Sequence, residues 1–152
     1  MQVTQDISIR YIKPEDYLEV LELAKEPVKA VLPDKPFEEE KIEALFNTAL
    51  INELFAGIVL VIDKEIKGFI LGHVTEHYFH STKLAYCMAI FVKEESRKYG
   101  LEMLKAFESW GKYMKADTLC ISTFHNLSPE YLNKVYKKLG YTEKEIVHWK
   151  EI

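Results

Sequence analysis

Ile90-Phe91-Val92-Lys93-Glu94-Glu95-Ser96-Arg97-Lys98-Tyr99-Gly100-Leu101-Glu102-Met103-Leu104 decides the reading of this chain. Its first three residues are apolar and strand-like, and its middle is a short polar turn carrying one glycine. From Ser96 the apolar period becomes helical, with Met103, Phe107, Trp110 and Met114 on one face as far as Lys115. A strand that turns into a helix in this way makes a seat for an anion. The first N–H groups of a helix have no intrahelical acceptor, and the macrodipole favours negative charge at that end. Arg97 and Lys98 add positive charge beside the seat, one as a planar fork and one as a point charge. Gly100 lets a phosphate approach the main chain closely.

Working outward from that corner, residues 84–92 are almost entirely apolar, the pattern of a strand buried on both faces at the centre of a sheet. Before it lie two β-rich runs, 57–62 and 66–74, separated by a hairpin connection at Asp63-Lys64-Glu65. Residues 7–11 alternate like a strand. Pro14-Glu15-Asp16 then opens a helix with Leu18, Leu21 and Ala24 on one face, and Pro27, Pro33 and Pro36 punctuate the stretch that follows it. A second amphipathic helix carries Ile42, Leu45, Phe46 and Ala49. Beyond the corner come a strand at 118–123 and a helix capped by Ser128-Pro129-Glu130, with Leu132, Val135, Tyr136 and Leu139 on one face. Gly140 is placed for a left-handed C-cap, and a last strand is expected at 146–149. The order β-α-α-β-β-β-α-β-α-β predicts an α/β protein with a mixed sheet and helices on its faces.

Composition narrows the function classes. A chain of 152 residues, 48% hydrophobic and 29% charged, suits one domain over 1–152 with one sizeable core. A formal charge of −4, with no Lys/Arg run, argues against nucleic acid as the partner and mildly favours a cationic substrate. No apolar run is long enough to span a bilayer and no export signal opens the chain, so a cytoplasmic protein without membrane attachment is expected. Cys87 and Cys120 sit in apolar runs, where a thiol acts as a small core hydrophobe. His77, His80 and His125 show no paired-ligand spacing, so no metal is expected. Tyr78 and Phe79 suit a lid or a homodimer interface equally well.

Arg97-Lys98-Tyr99-Gly100-Leu101-Glu102 resembles the Arg/Gln-x-x-Gly-x-Gly/Ala turn of the GNAT acetyltransferases, with Glu102 standing where that family has a small residue. A carboxylate there repels a pyrophosphate unless its side chain points away. The likeness continues at Ile9-Arg10-Tyr11-Ile12-Lys13-Pro14-Glu15-Asp16-Tyr17, and again at Tyr136-Lys-Lys-Leu-Gly140-Tyr141, which resembles the family's closing Tyr-x-x-x-Gly-Phe/Tyr segment.

The resemblance implies a GNAT-like acyl-CoA N-acyltransferase fold with a mixed, mostly antiparallel sheet. It also implies an enzyme that moves an acetyl group from acetyl-coenzyme A to a primary amine, on a small molecule or a protein, by direct attack. The backbone of Ile90, Phe91 and Val92 would hold the pantetheine arm, and the N–H groups of Lys98, Tyr99, Gly100, Leu101, Glu102 and Met103 the pyrophosphate. Asn126 would hydrogen-bond the arm. Tyr136 would protonate the departing thiolate, which is chemically sound for a poor leaving group; read without the resemblance, Tyr136 simply continues a core stripe.

The base is open. Tyr86 occupies the place of a glutamate that some members use, which leaves Glu76, His77 and His80 as candidates, each also readable as a solvated loop residue. The rival expectation is a catalytically inactive GNAT-like module that binds coenzyme A or another protein.

Overall fold

A computed structural model of the chain describes residues 4–124 and 129–152. They form two compact units, Met1–Ser122 and Thr123–Ile152.

The first unit is built on a five-stranded sheet: β1 (Ile7–Tyr11), β2 (Phe55–Ile62), β3 (Glu65–Glu76), β4 (Lys83–Val92) and β5 (Thr118–Ile121), side by side in that order. The first three pairings are antiparallel and the last is parallel, so the sheet is mixed and mostly antiparallel as expected. The β2–β3 connection is a two-residue turn in which Asp63 and Lys64 both have positive φ, at 50° and 70°. That conformation matches the twist of a hairpin. Asp63 also exchanges hydrogen bonds with Asp6 at the mouth of β1, its N–H donating to Asp6 O at 2.8 Å and its Oδ1 accepting from Asp6 N at 2.9 Å.

Strand periodicity sends alternate residues to opposite faces, and each face meets its own helices. On one face Ile58, Leu60, Ile70, Val74, Ala85, Cys87 and Val92 pack with Met103, Phe107 and Trp110 of α3 (Gly100–Tyr113). On the other, Val59, Ile66 and Phe91 pack with Val20 and Leu23 of α1 (Tyr17–Val31) and Phe46 of α2 (Glu39–Ile51). Glycines set how closely α3 lies on the sheet. A Cβ on Gly72 would stand 2.7 Å from the Trp110 ring, and one on Gly68 would stand 3.1 Å from Met103 Sδ.

Several expectations change. Pro27 does not end the first helix; it lies buried inside α1, which runs on to Val31. The strand at 84–92 is penultimate rather than central, and Met88 is 37% exposed because β5 pairs with only part of β4. The helix expected from Ser96 starts at Gly100, after a 3-10 turn over Glu94–Tyr99. Such tightened turns are common at helix starts.

In the second unit, α4 (Pro129–Lys138) ends as its sequence predicts. Gly140 has φ +91°, Gly140 N–H donates to Lys137 O at 3.1 Å and Tyr141 N–H donates to Tyr136 O at 3.0 Å. This pair of bonds is the Schellman arrangement, which satisfies carbonyls left over at the helix end. The closing strand expected at 146–149 is not formed: residues 142–152 are irregular and exposed. Four apolar-leaning positions between Glu143-Lys144-Glu145 and Lys150-Glu151 carry no strand unless a ladder partner takes up their backbone groups.

Candidate active site

The feature that opens the sheet is a mismatch in the pairing of β4. Its β3 edge is paired from Lys83 to Val92, whereas its β5 edge is paired only from Leu84 to Cys87, where Cys87 faces Ile121. The N–H and C=O groups of a strand alternate between its two edges. Residues 88–92 therefore turn half of their backbone groups toward an edge that β5 does not meet.

The register with β3 also slips here, with Leu71 opposite Ala89 and Gly72 opposite Cys87, so Met88 is the extra residue of a β-bulge. A bulge bends its strand and exchanges the faces beyond it. Accordingly Ala85 and Cys87 face α3 before the bulge, and Ile90 and Val92 face it after.

The open edge leads into the corner. Lys93 N–H extends the ladder to Lys67 O at 2.8 Å, and Lys67 Nζ reaches Glu65 at 2.9 Å and Glu95 at 3.8 Å. Hydrogen bonding to Glu65 is the main reason the Lys67 ammonium is held above its ordinary pKa. Ser96 is buried in the turn, its N–H on Lys93 O at 2.8 Å. Arg97 and Lys98 are exposed, and Lys98 Nζ lies 5.2 Å from the centre of the Tyr99 ring.

Gly100 is the informative residue. Its φ of −60° and ψ of −36° suit any amino acid, and a Cβ added there would meet nothing within 4 Å. Of the six glycines, four have a Cβ position that collides with a neighbour at 3.0 Å or less, and Gly140 needs positive φ. Gly100 alone lacks an internal reason to be glycine, and the space in front of it is open. Gly100 N–H donates to Arg97 O, so its own donor is already engaged. Ile90, Phe91, Val92, Arg97, Lys98, Tyr99, Gly100, Leu101, Glu102 and Met103 thus form one continuous edge and corner. Glu102 is exposed, while Met103, Leu104, Phe107 and Trp110 form the buried face of α3, so its carboxylate stands on the outer side of the helix.

The other predicted residues are placed differently. Glu76 ends β3 opposite Lys83 and is exposed. Ile90 lies seven positions along β4 from Lys83, roughly 20 Å at the usual rise. The rings of His77 and His80 serve the hairpin itself: His77 Nδ1 accepts from Phe79 N–H at 3.0 Å, and His80 Nδ1 lies 2.7 Å from Thr82 Oγ1. Tyr136, in α4 of the second unit, is 6% exposed, with its ring 6.0 Å from that of Tyr141. Asn126 and His125 lie outside the described residues.

Cys87 is buried, and desolvation pushes its thiol up to about 12, which removes it as a nucleophile. Among the described residues no group of three or more His, Cys, Asp or Glu is arranged to hold a metal ion, and no helix is long and apolar enough to cross a membrane.

Sequence reasoning missed a row on the face opposite α3. The register sets Phe55, His73, Tyr86 and Cys120 side by side across four strands, all half-buried. Alternation marks His73 as a strand residue, but only the register shows what stands beside it.

No protein-family model matches the chain, and no curated protein matches it by sequence. Solved structures do match. Aminoglycoside N-acetyltransferase AAC(6')-Iy, in complex with CoA, is 19% identical with a TM-score of 0.80, over 100% of this chain and 98% of that one. The chain has the GNAT acyl-CoA N-acyltransferase fold. A ribosomal-protein-alanine N-acetyltransferase from Brucella melitensis biovar Abortus 2308 shares this GNAT fold at 14% identity and a TM-score of 0.75, over 96% and 99% of the two chains. The aminoglycoside 6'-N-acetyltransferase AAC(6')-Ih from Acinetobacter baumannii does so at 16% identity and 0.73, over 97% and 99%.

Proposed function

We propose that the chain is an acetyl-coenzyme A-dependent N-acetyltransferase that acetylates a primary amine by direct attack, with residues 1–152 acting as one GNAT domain. Gly100 carries this reading: it is a glycine without a conformational or packing reason, at the start of a helix that follows an open strand edge. The fold it shares with a CoA-bound acetyltransferase supports coenzyme A as the occupant of that space.

In this reading the free backbone groups of Ile90, Phe91 and Val92 hold the pantetheine arm, as a missing strand would. Main-chain donors in the first turn of α3, with the charges of Arg97 and Lys98, hold the pyrophosphate. The thioester supplies an activated acetyl carbon, and a backbone N–H of β4 polarises its carbonyl. Asn126 bonds the pantetheine arm. Tyr136 gives its proton to the departing thiolate. The acceptor is a small-molecule amine, in the class that the aminoglycoside enzymes modify, and the protein works in the cytoplasm.

Titration calorimetry with acetyl-coenzyme A, for the wild type and a Gly100→Asp variant, tests the seat. Micromolar binding that disappears in the variant supports the reading. An unbound wild type removes it and leaves the inactive module. Loss of thiol release in Tyr136→Phe, with cofactor binding kept, tests the acid.

A further inference from the structure

The open edge of β4 has two faces. α3 covers one of them; on the other, α1 and α2 pack over Phe91 while His73 and Tyr86 stay half-buried outside that cluster, which leaves their side of the opening for an acceptor amine. What stands at the mouth on that other face is polar. Tyr86 is opposite Cys120 in the β4–β5 register, yet its hydroxyl lies 2.5 Å from Ser122 Oγ, two residues further along toward the opening. Ser122 is the first residue beyond β5 and is exposed. The two hydroxyls bridge β4 and β5 where the strands part. One hydroxyl hydrogen lies between them, which leaves a second donor and several lone pairs for a ligand.

On the other side of Tyr86, across the β3–β4 pairing, is His73. Cross-strand neighbours have Cβ atoms about 5 Å apart. The imidazole is fixed by stacking on Phe55, with ring centres 4.2 Å apart and planes 14° from parallel. Among the described residues neither ring nitrogen has a hydrogen-bond partner. The other polar groups in the row are the Tyr86 phenol and the Cys120 thiol. A phenol is too weakly basic to take a proton from an ammonium near neutral pH. Imidazole titrates in the right range.

We propose that this row is the acceptor side of the site: the Tyr86–Ser122 pair positions the amine, and His73, directly or through one water, is the general base. The proposal rests on the acetyltransferase reading. In the step, the substrate ammonium loses a proton to His73 and its freed lone pair forms the C–N bond at the thioester carbon. The C–S bond breaks, the thiolate takes a proton, the acylated nitrogen sheds its second proton to replace that one, and His73 returns its own to water.

The experiment uses the full chain, with spermidine, kanamycin and a lysine-containing peptide as acceptors, thiol release as the rate and calorimetry with acetyl-coenzyme A as the check on fold and seat. His73→Gln is expected to bind acetyl-coenzyme A within about twofold of wild type. It should lose on the order of 100-fold in kcat/KM and the neutral ionisation in its pH profile. Tyr86→Phe and Ser122→Ala should raise KM for the amine several-fold while keeping that ionisation.

A His73→Gln profile that keeps the wild-type limb and rate, with cofactor bound, overturns the base assignment. Unchanged KM values in both hydroxyl variants overturn the positioning role. A wild type that binds no acetyl-coenzyme A, or binds it and turns over none of the three amines, takes the acetyltransferase reading and this proposal down together.

Discussion

Gly100 and Gly72 make a matched pair of substitutions. At Gly100 an added methyl meets open space on a helical backbone, so Gly100→Ala should stabilise the protein by about 0.5–1 kcal/mol, since alanine loses less freedom on entering a helix. The same variant should bind acetyl-coenzyme A at least several-fold more weakly, because the methyl takes space that the phosphate needs. Gly72→Ala drives a methyl to 2.7 Å from the Trp110 ring and should cost about 1–3 kcal/mol. Thermal melts set beside calorimetry read both, and a Gly100→Ala protein that is less stable and binds normally would reverse the assignment.

Cys87 gives a second residue-level test. With its thiol pushed up to about 12 by burial, it should resist a thiol reagent at pH 8 in the native protein and react only on unfolding. The residues proposed as the seat could be picked out of the sequence because strand, basic turn, glycine and helix follow one another in the chain. His73 could not, since its meaning comes from Phe55 and Tyr86, residues 18 and 13 positions away that only the register brings alongside.

Elements were legible where their signals were local. Asp63-Lys64 marked a hairpin turn and Gly140 a helix end, and both adopt the positive φ those roles require. Pro27 misled because buried contacts of α1 outweigh one missing hydrogen bond. The bulge at Met88 and the parting of β4 from β5 leave no mark in periodicity, because both are properties of a pair of strands.

The junction of β1 and α1 offers a pH test. Asp16 is 4% exposed and accepts from Arg10 Nη1 at 2.7 Å, Arg10 Nη2 at 3.0 Å and Lys13 N–H at 2.7 Å. The Arg10 bonds are the main reason its carboxyl is held below the ordinary range. A carboxyl depressed in the folded state stabilises fully above its unfolded value, about 3.9, and loses that contribution as pH falls through the folded value. Chemical denaturation should show stability declining below about pH 4. Asp16→Asn should cost about 2–3 kcal/mol at pH 7 and flatten that decline.

At the scale of the whole molecule, a ligand held only by the folded chain must shift the unfolding equilibrium. Both parts of the proposed seat are features of the folded state: the edge at 88–92 exists only while β3 holds β4, and the corner only while Lys67 and the ladder hold the turn. An unfolded chain therefore has little affinity for acetyl-coenzyme A. At a concentration 100 times Kd, linkage adds about 2.7 kcal/mol to stability. For a chain of this length that corresponds to a rise in Tm of roughly 5–10 °C. Free coenzyme A should give a comparable rise, because the pantetheine arm and the phosphates, rather than the acetyl group, make the contacts assigned to the edge and the corner. Gly100→Asp should abolish the shift for both ligands, whereas His73→Gln should keep it, because His73 is assigned to the acceptor and not to the cofactor. A shift that survives Gly100→Asp would place coenzyme A somewhere other than the start of α3, and a shift lost in His73→Gln would make that histidine part of the cofactor seat.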